Sequence, residues 1–304
     1  MLRNGELARR VAEALSRLTA CDVCARACGV NRQRGELGAC HTGERASVSS
    51  YGAHHGEEKP LRGWRGSGTI FFSRCNLHCQ YCQNYDISQS DDGEEVEPQE
   101  LASMMLRLQA AGCHNVNLVS PSHVVPQILA AVWIAAQAGL RIPLVYNSGG
   151  YDALSTLALL DGVVDIYMPD MKYSDDAIGL RYSKAPRYAE VNRMAVREMH
   201  RQVGDLELDA DGVATRGLLV RHLVLPNDLA GTRRIVGFVA REISPRTYLN
   251  VMGQYRPAFR ALEYPELARP VTRAEHAAAV RMALEAGLTR LDGIAGRCMP
   301  SLGS

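Results

Sequence analysis

Residues 69–82 read Thr69-Ile70-Phe71-Phe72-Ser73-Arg74-Cys75-Asn76-Leu77-His78-Cys79-Gln80-Tyr81-Cys82. A short apolar run of β-branched and aromatic residues is followed at once by three cysteines, spaced x3 and x2. The run has strand composition. Thiolates hold iron–sulfur clusters, usually in fours. Three close thiolates leave one iron of a cubane open, as a catalytic zinc keeps one open position. The amine and carboxylate of an amino acid would chelate such an iron. The competing reading is a zinc knuckle, for which His78 is the only local fourth ligand.

Outward from this stretch the chain alternates. Apolar runs recur at 69–72, 115–119, 142–146, 163–168, 218–225 and 246–251. Helical patterns lie at 98–111, 123–138, 152–160, 186–203 and 231–242, and a last one at 272–286. Strands alternating with helices imply right-handed βαβ units and a parallel sheet. The expected fold class is α/β, a partial (β/α)6 TIM-like barrel with a small N-terminal Cys-rich metal-binding module. Parallel barrels carry their chemistry at the C-terminal ends of the strands. The boundary is expected at 60/61: a helix over 6–18, the Cys-rich stretch 21–43 and a strand at 45–51 come first. Gly52 to Gly68, without periodicity, reads as an ordered loop.

The spacing C-x3-C-x2-C after the first strand of a partial barrel resembles the radical S-adenosylmethionine (SAM) superfamily, closest to its activating-enzyme branch, such as pyruvate formate-lyase activating enzymes and their uncharacterised homologues. The likeness covers roughly residues 60–292. Phe71-Phe72-Ser-Arg-Cys75-Asn-Leu and Cys82-Gln83-Asn84 look like those homologues in particular. The resemblance implies a [4Fe–4S] cluster on Cys75, Cys79 and Cys82. It further implies reductive cleavage of SAM to methionine and a 5′-deoxyadenosyl radical, and hydrogen abstraction from a substrate. It also implies an electron donor such as flavodoxin or ferredoxin, and it makes a glycine of a partner protein a candidate substrate. A small molecule or peptide is the alternative, and a non-catalytic iron–sulfur or zinc module a third reading.

The other expected cofactor contacts follow from the same resemblance. Tyr81 matches a position near the adenine. Ser120-Pro121-Ser122-His123 stands where the superfamily has Gly-Gly-Glu-Pro, so Ser120, Ser122 or backbone carbonyls would take the methionine amine; Ser122 could equally cap the next helix. Asn147-Ser148-Gly149-Gly150-Tyr151 resembles the Asp-Thr-Asn-Gly-aromatic segment, and Met168-Pro169-Asp170-Met171-Lys172 the Asp-x-Lys motif. Asn147, Ser148, Met168 and Asp170 also match positions that hold a monovalent cation, with Asn147 one charge short. Asp170 and Lys172 could instead be a plain ion pair. Arg221 is expected to touch the cofactor and His222 to be a core residue. Gln254 falls near a cofactor-contacting histidine.

Cys21-x2-Cys24-x3-Cys28-x11-Cys40 supplies four more thiols, enough for a closed zinc site or an auxiliary cluster. His54-His55-Gly56-Glu57-Glu58 could line the substrate pocket or pin the N-terminal segment to the barrel. Cys113 and Cys298 stand alone and read as bystanders. Nine cysteines without a signal core at the N-terminus point to a reducing cytosol. A net charge of +1 and the lack of a long apolar run give no reason to expect nucleic acid or a membrane. The run Asp91, Asp92, Glu94, Glu95, Glu97 reads as a solvated loop.

Overall fold

A computed structural model describes residues 5–90 and 92–293. Its strands are β1 Ala46–His54, β2 Ser67–Phe72, β3 Glu94–Val96, β4 Val116–Val119, β5 Leu144–Ser148, β6 Ile166–Pro169, β7 Glu207–Leu208, β8 Ala214–Leu223 and β9 Tyr248–Met252. Their order is β3-β1-β2-β4-β5-β6-β8, with β7 and β9 both pairing β8. Every neighbouring pair in β2-β4-β5-β6-β8-β9 is parallel. These are the six expected strands, and they form a mixed α/β fold of the partial-barrel kind. The runs at 142–146 and 163–168 begin too early, because pairing starts only after Pro143 and after the turn at 161–164.

Helices Pro98–Ala110, Val125–Gln137, Leu154–Leu160, Tyr188–Val203, Thr232–Phe238 and Arg273–Glu285 answer the six helical patterns. The fifth pattern ends in a π turn at Val239–Ile243. A further helix, Asp176–Ser183, is capped by the Asp175 side chain and was hidden by its weak amphipathicity. No helix among the described residues is long and apolar enough to cross a membrane.

Two expectations fail near the first barrel strand. Residues 52–68 are not a loop throughout: β1 continues to His54, pairing antiparallel with β2 as far as His54↔Ser67, and Lys59–Arg62 is helical. The outer half of β1 is largely exposed, so it lacks the buried alternation that marks a strand in sequence. Part of the acidic run is strand β3, paired with the start of β1; its Glu94 and Glu95 are solvated as expected.

The segment after β1 then crosses the open side of the barrel. The His54 ring stands edge-on to Phe71 of β2 at 5.9 Å, and Asn250 of β9 donates to Glu58 Oε1 at 2.9 Å. First and last barrel strands are thus linked by residues 54–58. The N-terminal helix Glu6–Ser16 buries Leu7, Val11 and Ala14, and with Leu18 they join the same core as Ile70, Leu118, Tyr146 and Val220.

Candidate active site

The turn after β2 is shaped to aim its thiols inward. Arg74 takes a left-handed backbone at φ 65°, and Arg74 N–H donates to the Ile87 carbonyl at 2.7 Å, closing the loop that carries Cys75, Cys79 and Cys82. His78 and Gln80 N–H groups donate to the carbonyls of Ser183 and Tyr182, fixing the loop to helix Asp176–Ser183. All three cysteines line one cavity of about 140 Å³. The Ser183 hydroxyl lies 3.0 Å from Cys79 Sγ, and the Ser88 hydroxyl 3.1 Å from Cys82 Sγ. Burial, then the neighbouring Cys79, pushes the Cys75 thiol up to about 12; burial likewise raises Cys79. Such thiols ionise readily only when a metal takes the proton's place.

The C-terminal ends of β4, β5, β6 and β8 supply the facing wall, as a parallel barrel dictates. Ser120, Asn147, Ser148, Gly149, Asp170, Lys172 and Arg221 line the same cavity. Lys172 Nζ donates to Asp170 Oδ2 at 2.6 Å, Arg221 Nε to Asp170 Oδ1 at 2.9 Å, and Arg221 NH2 to Asn147 Oδ1 at 2.7 Å. Burial works to lower the Lys172 pKa, but the Asp170 carboxylate against it more than offsets that, leaving it raised. Burial works to raise Asp170, and Arg221 and Lys172 reverse the sign. Lys172 and Arg221 therefore stay protonated in the cavity wall, where their N–H groups suit a ligand carboxylate.

Other expected residues are placed differently. Ser122 is buried and bonded to Asp152, which also accepts from Tyr146 and Ser148 hydroxyls at 2.8 Å. It neither lines the cavity nor bonds a helix N–H. Met168 is fully buried among Val145, Ile166 and Leu219 inside the barrel. The oxygens expected for a monovalent cation are therefore engaged: Asp170 and Asn147 by cationic side chains, the Ser148 hydroxyl by Asp152. Tyr81 packs edge-on to Tyr173 at 6.3 Å and to Tyr255 at 5.7 Å, away from the cavity lining. Gln254 is exposed, and its carbonyl accepts from Gln83. His222 is spent as a core residue, bonded to the Met171 carbonyl at 2.8 Å and to Thr232 Oγ1 at 2.9 Å. Glu57 and Glu58 face Arg221 as charged neighbours, with the Glu57 pKa raised first by burial. Cys113 is buried as a bystander, and Cys298 lies outside the described residues.

Sequence reading missed Asn84, Ser88 and Gln89, which line the cavity from the short helix after the cysteines, and Ser183, which reaches Cys79 from a distant helix. Ser88 could have been suspected from its place six residues after Cys82; nothing in the sequence marks Ser183. The donor set suits an iron–sulfur cluster. Three thiols share one cavity, yet among the described residues no three Cys, His, Asp or Glu groups stand close enough to hold a single metal ion.

Comparison with known proteins agrees with this chemistry. An uncharacterized protein of Methanocaldococcus jannaschii is 33% identical over 271 residues, spanning 86% of this chain and 74% of that protein. Methylornithine synthase (PylB) shares the fold with a TM-score of 0.50 at 17% identity, over 71% of this chain and 61% of that one. SuiB of Streptococcus suis, solved bound to S-adenosylmethionine, has a TM-score of 0.49 at 10% identity over 70% of this chain and 45% of its own. This chain thus spans less than two thirds of either solved protein. Residues 69–203 match the family described as the Radical SAM superfamily. The chain belongs to the radical SAM superfamily, whose members carry a [4Fe–4S] cluster and S-adenosylmethionine.

Proposed function

We propose that this protein cleaves SAM reductively and uses the product to abstract hydrogen from a substrate. One observation carries the reading: Cys75, Cys79 and Cys82 share a single cavity with Asp170, Lys172 and Arg221. Held there, the cluster supplies the electron that splits SAM into methionine and a 5′-deoxyadenosyl radical.

The chain's own residues bind, orient and shield. Once Cys79 and Cys82 are thiolates, Ser183 and Ser88 must be the donors of the short O–H···S contacts, and they offset thiolate charge. Lys172 and Arg221 present positive charge to the methionine carboxylate, with Asp170 fixing both heads. These two side chains supply the charge that a monovalent cation would otherwise bring. Ser120, in a left-handed backbone at φ 59°, offers its hydroxyl and carbonyl to the amine. Gly149 lets the β5 turn approach closely, since a Cβ there would meet Leu77 Cδ1 at 2.6 Å.

For the substrate we favour a glycine Cα–H of a partner protein, by likeness of the site segments to activating enzymes. A small molecule or peptide is the second reading. It is favoured by residues 54–58, which link the first and last barrel strands. Flavodoxin or ferredoxin in a reducing cytosol fits as electron source. The test is anaerobic reconstitution and reduction, followed by assay of 5′-deoxyadenosine. Wild type is expected to form it, and Cys75→Ala/Cys79→Ala/Cys82→Ala to lose it. Unchanged product from the triple variant would refute the assignment.

A further inference from the structure

Cys21, Cys24, Cys28 and Cys40 converge on one small, mostly apolar cavity that Arg32 also lines. The backbone is folded around these sulfurs. Cys21 N–H donates to the Val30 carbonyl and Gly29 N–H to the Cys21 carbonyl, tying the 21–30 loop at its neck. Ala39 N–H points at Cys28 Sγ, 3.4 Å away. Gly38 has to be glycine, since a Cβ there would meet Cys28 Sγ at 2.9 Å.

A second, independent feature asks for negative charge in that cavity. Arg32 is 1% exposed. Its Nε and NH1 donate to the carbonyls of Gly43 and His123, and NH1 stands 3.9 Å from Cys21 Sγ. Its NH2 has no partner, and no carboxylate pairs with it among the described residues. A buried guanidinium without a counter-ion is costly. Metal-bound thiolates would supply the missing charge.

Zinc and a cubane ask different things of four thiolates. Zinc draws four sulfurs to about 2.3 Å from one ion, whereas a cubane spreads its ligands over four irons. No three of the described Cys, His, Asp or Glu groups could hold a single ion. That is as true of this quartet as of Cys75, Cys79 and Cys82. The two sets are also neighbours. Asn76 is buried; its side chain bonds to Cys24 on one side, and its Oδ1 lies 3.9 Å from Cys75 Sγ on the other. Cys40 and Cys75 line a common cavity.

We propose that Cys21, Cys24, Cys28 and Cys40 hold a second, fully thiolate-ligated [4Fe–4S] cluster, balanced by Arg32, that relays electrons past Asn76 to the cluster at Cys75, Cys79 and Cys82. The relay rests on the function proposed above. A one-electron carrier of the flavodoxin or ferredoxin class is oxidised by one electron as the N-terminal cluster is reduced. That electron passes to the cluster at Cys75, Cys79 and Cys82, returning the N-terminal cluster to its oxidised state; no proton moves and no bond changes until SAM is cleaved.

The test is metal, sulfide and EPR analysis of the anaerobically reconstituted full chain. Wild type should bind about eight irons, and Cys75→Ala/Cys79→Ala/Cys82→Ala and Cys21→Ala/Cys24→Ala/Cys28→Ala/Cys40→Ala about four each. Zinc without iron in the triad variant, or no metal there, overturns the second cluster. The fully reduced wild type should give an EPR signal broadened by interaction between the clusters, absent from either variant; two independent signals overturn the relay. Because quartet loss could unfold the loop, Arg32→Leu provides a milder probe. It should move the midpoint potential of the triad variant's remaining cluster to more negative values, and Arg32→Lys should not; equal potentials overturn the role of Arg32. Failure of the function itself reads differently: SAM would then leave the quartet variant's EPR signal unaltered, whatever the iron counts.

Discussion

Asp170 shows how one residue sets the electrostatics of the cavity. Its two oxygens hold Lys172 and Arg221 at 2.6 and 2.9 Å. Asp170→Asn would remove the carboxylate bonded to two largely buried cations, and removing one partner of such a pair costs about 3–5 kcal/mol. Urea unfolding of the metal-free protein at neutral pH should register a loss on that order. The sign of the pH effect follows from the direction of the shift. Asp170 is held below its unfolded value of about 3.9, so its contribution is complete above that pH and is lost as the pH falls through the lower, folded value. The variant should therefore lose less stability than wild type on acidification below about pH 4; parallel curves would show that the pair contributes nothing. At this scale the sequence was informative about Asp170, Lys172 and Arg221, because the first two follow β6 and the third lies near the C-terminal end of its parallel neighbour β8. It also put Ser122 and Tyr81 at the cofactor, but Ser122 bonds Asp152 and Tyr81 packs against Tyr173 and Tyr255.

Among the connecting elements, the turn after β5 is tightly constrained. Gly150 has φ +71°, and a Cβ on it would lie 2.3 Å from the Asp170 carbonyl and 2.1 Å from Asn192 Nδ2. Asn192 Nδ2 donates to the carbonyls of both Gly150 and Asp170, joining the β5 and β6 turns. Gly150→Ala should cost more than about 2 kcal/mol and weaken SAM binding, since the clash pushes apart two turns that line the cavity. Gly35 is left-handed at φ +80° and ψ 9° with nothing within 4 Å of a Cβ, so Gly35→Ala should cost only about 1 kcal/mol, the backbone term alone. Thermal melts and equilibrium SAM binding on the two variants separate clash from backbone preference; equal losses would refute the packing argument.

Across the whole molecule, the N-terminal helix and the barrel share one core. Leu18 is fully buried alongside Leu157, Val125 and Val48 in that continuous cluster. Leu18→Ala should destabilise the protein by about 2–5 kcal/mol in a single cooperative transition, followed by circular dichroism. Two separated transitions would mean that the first residues fold as an independent unit.

The order of elements was legible because parallel strands buried on both faces read as apolar runs, and amphipathic helices between them read at their own period. The C-x3-C-x2-C spacing by itself marked the cavity, since ligands this close in sequence need no fold to meet. Tertiary structure alone decided what distant segments do to one another. It carried β1 past residue 52, because pairing with β2 replaces the burial pattern that would have announced it. It brought Ser183 to Cys79, engaged the expected cation ligands with Lys172 and Arg221, and set Asn76 between two groups of cysteines. Contacts across such separations depend on how sheets and helices close on each other, and no local pattern records that closure.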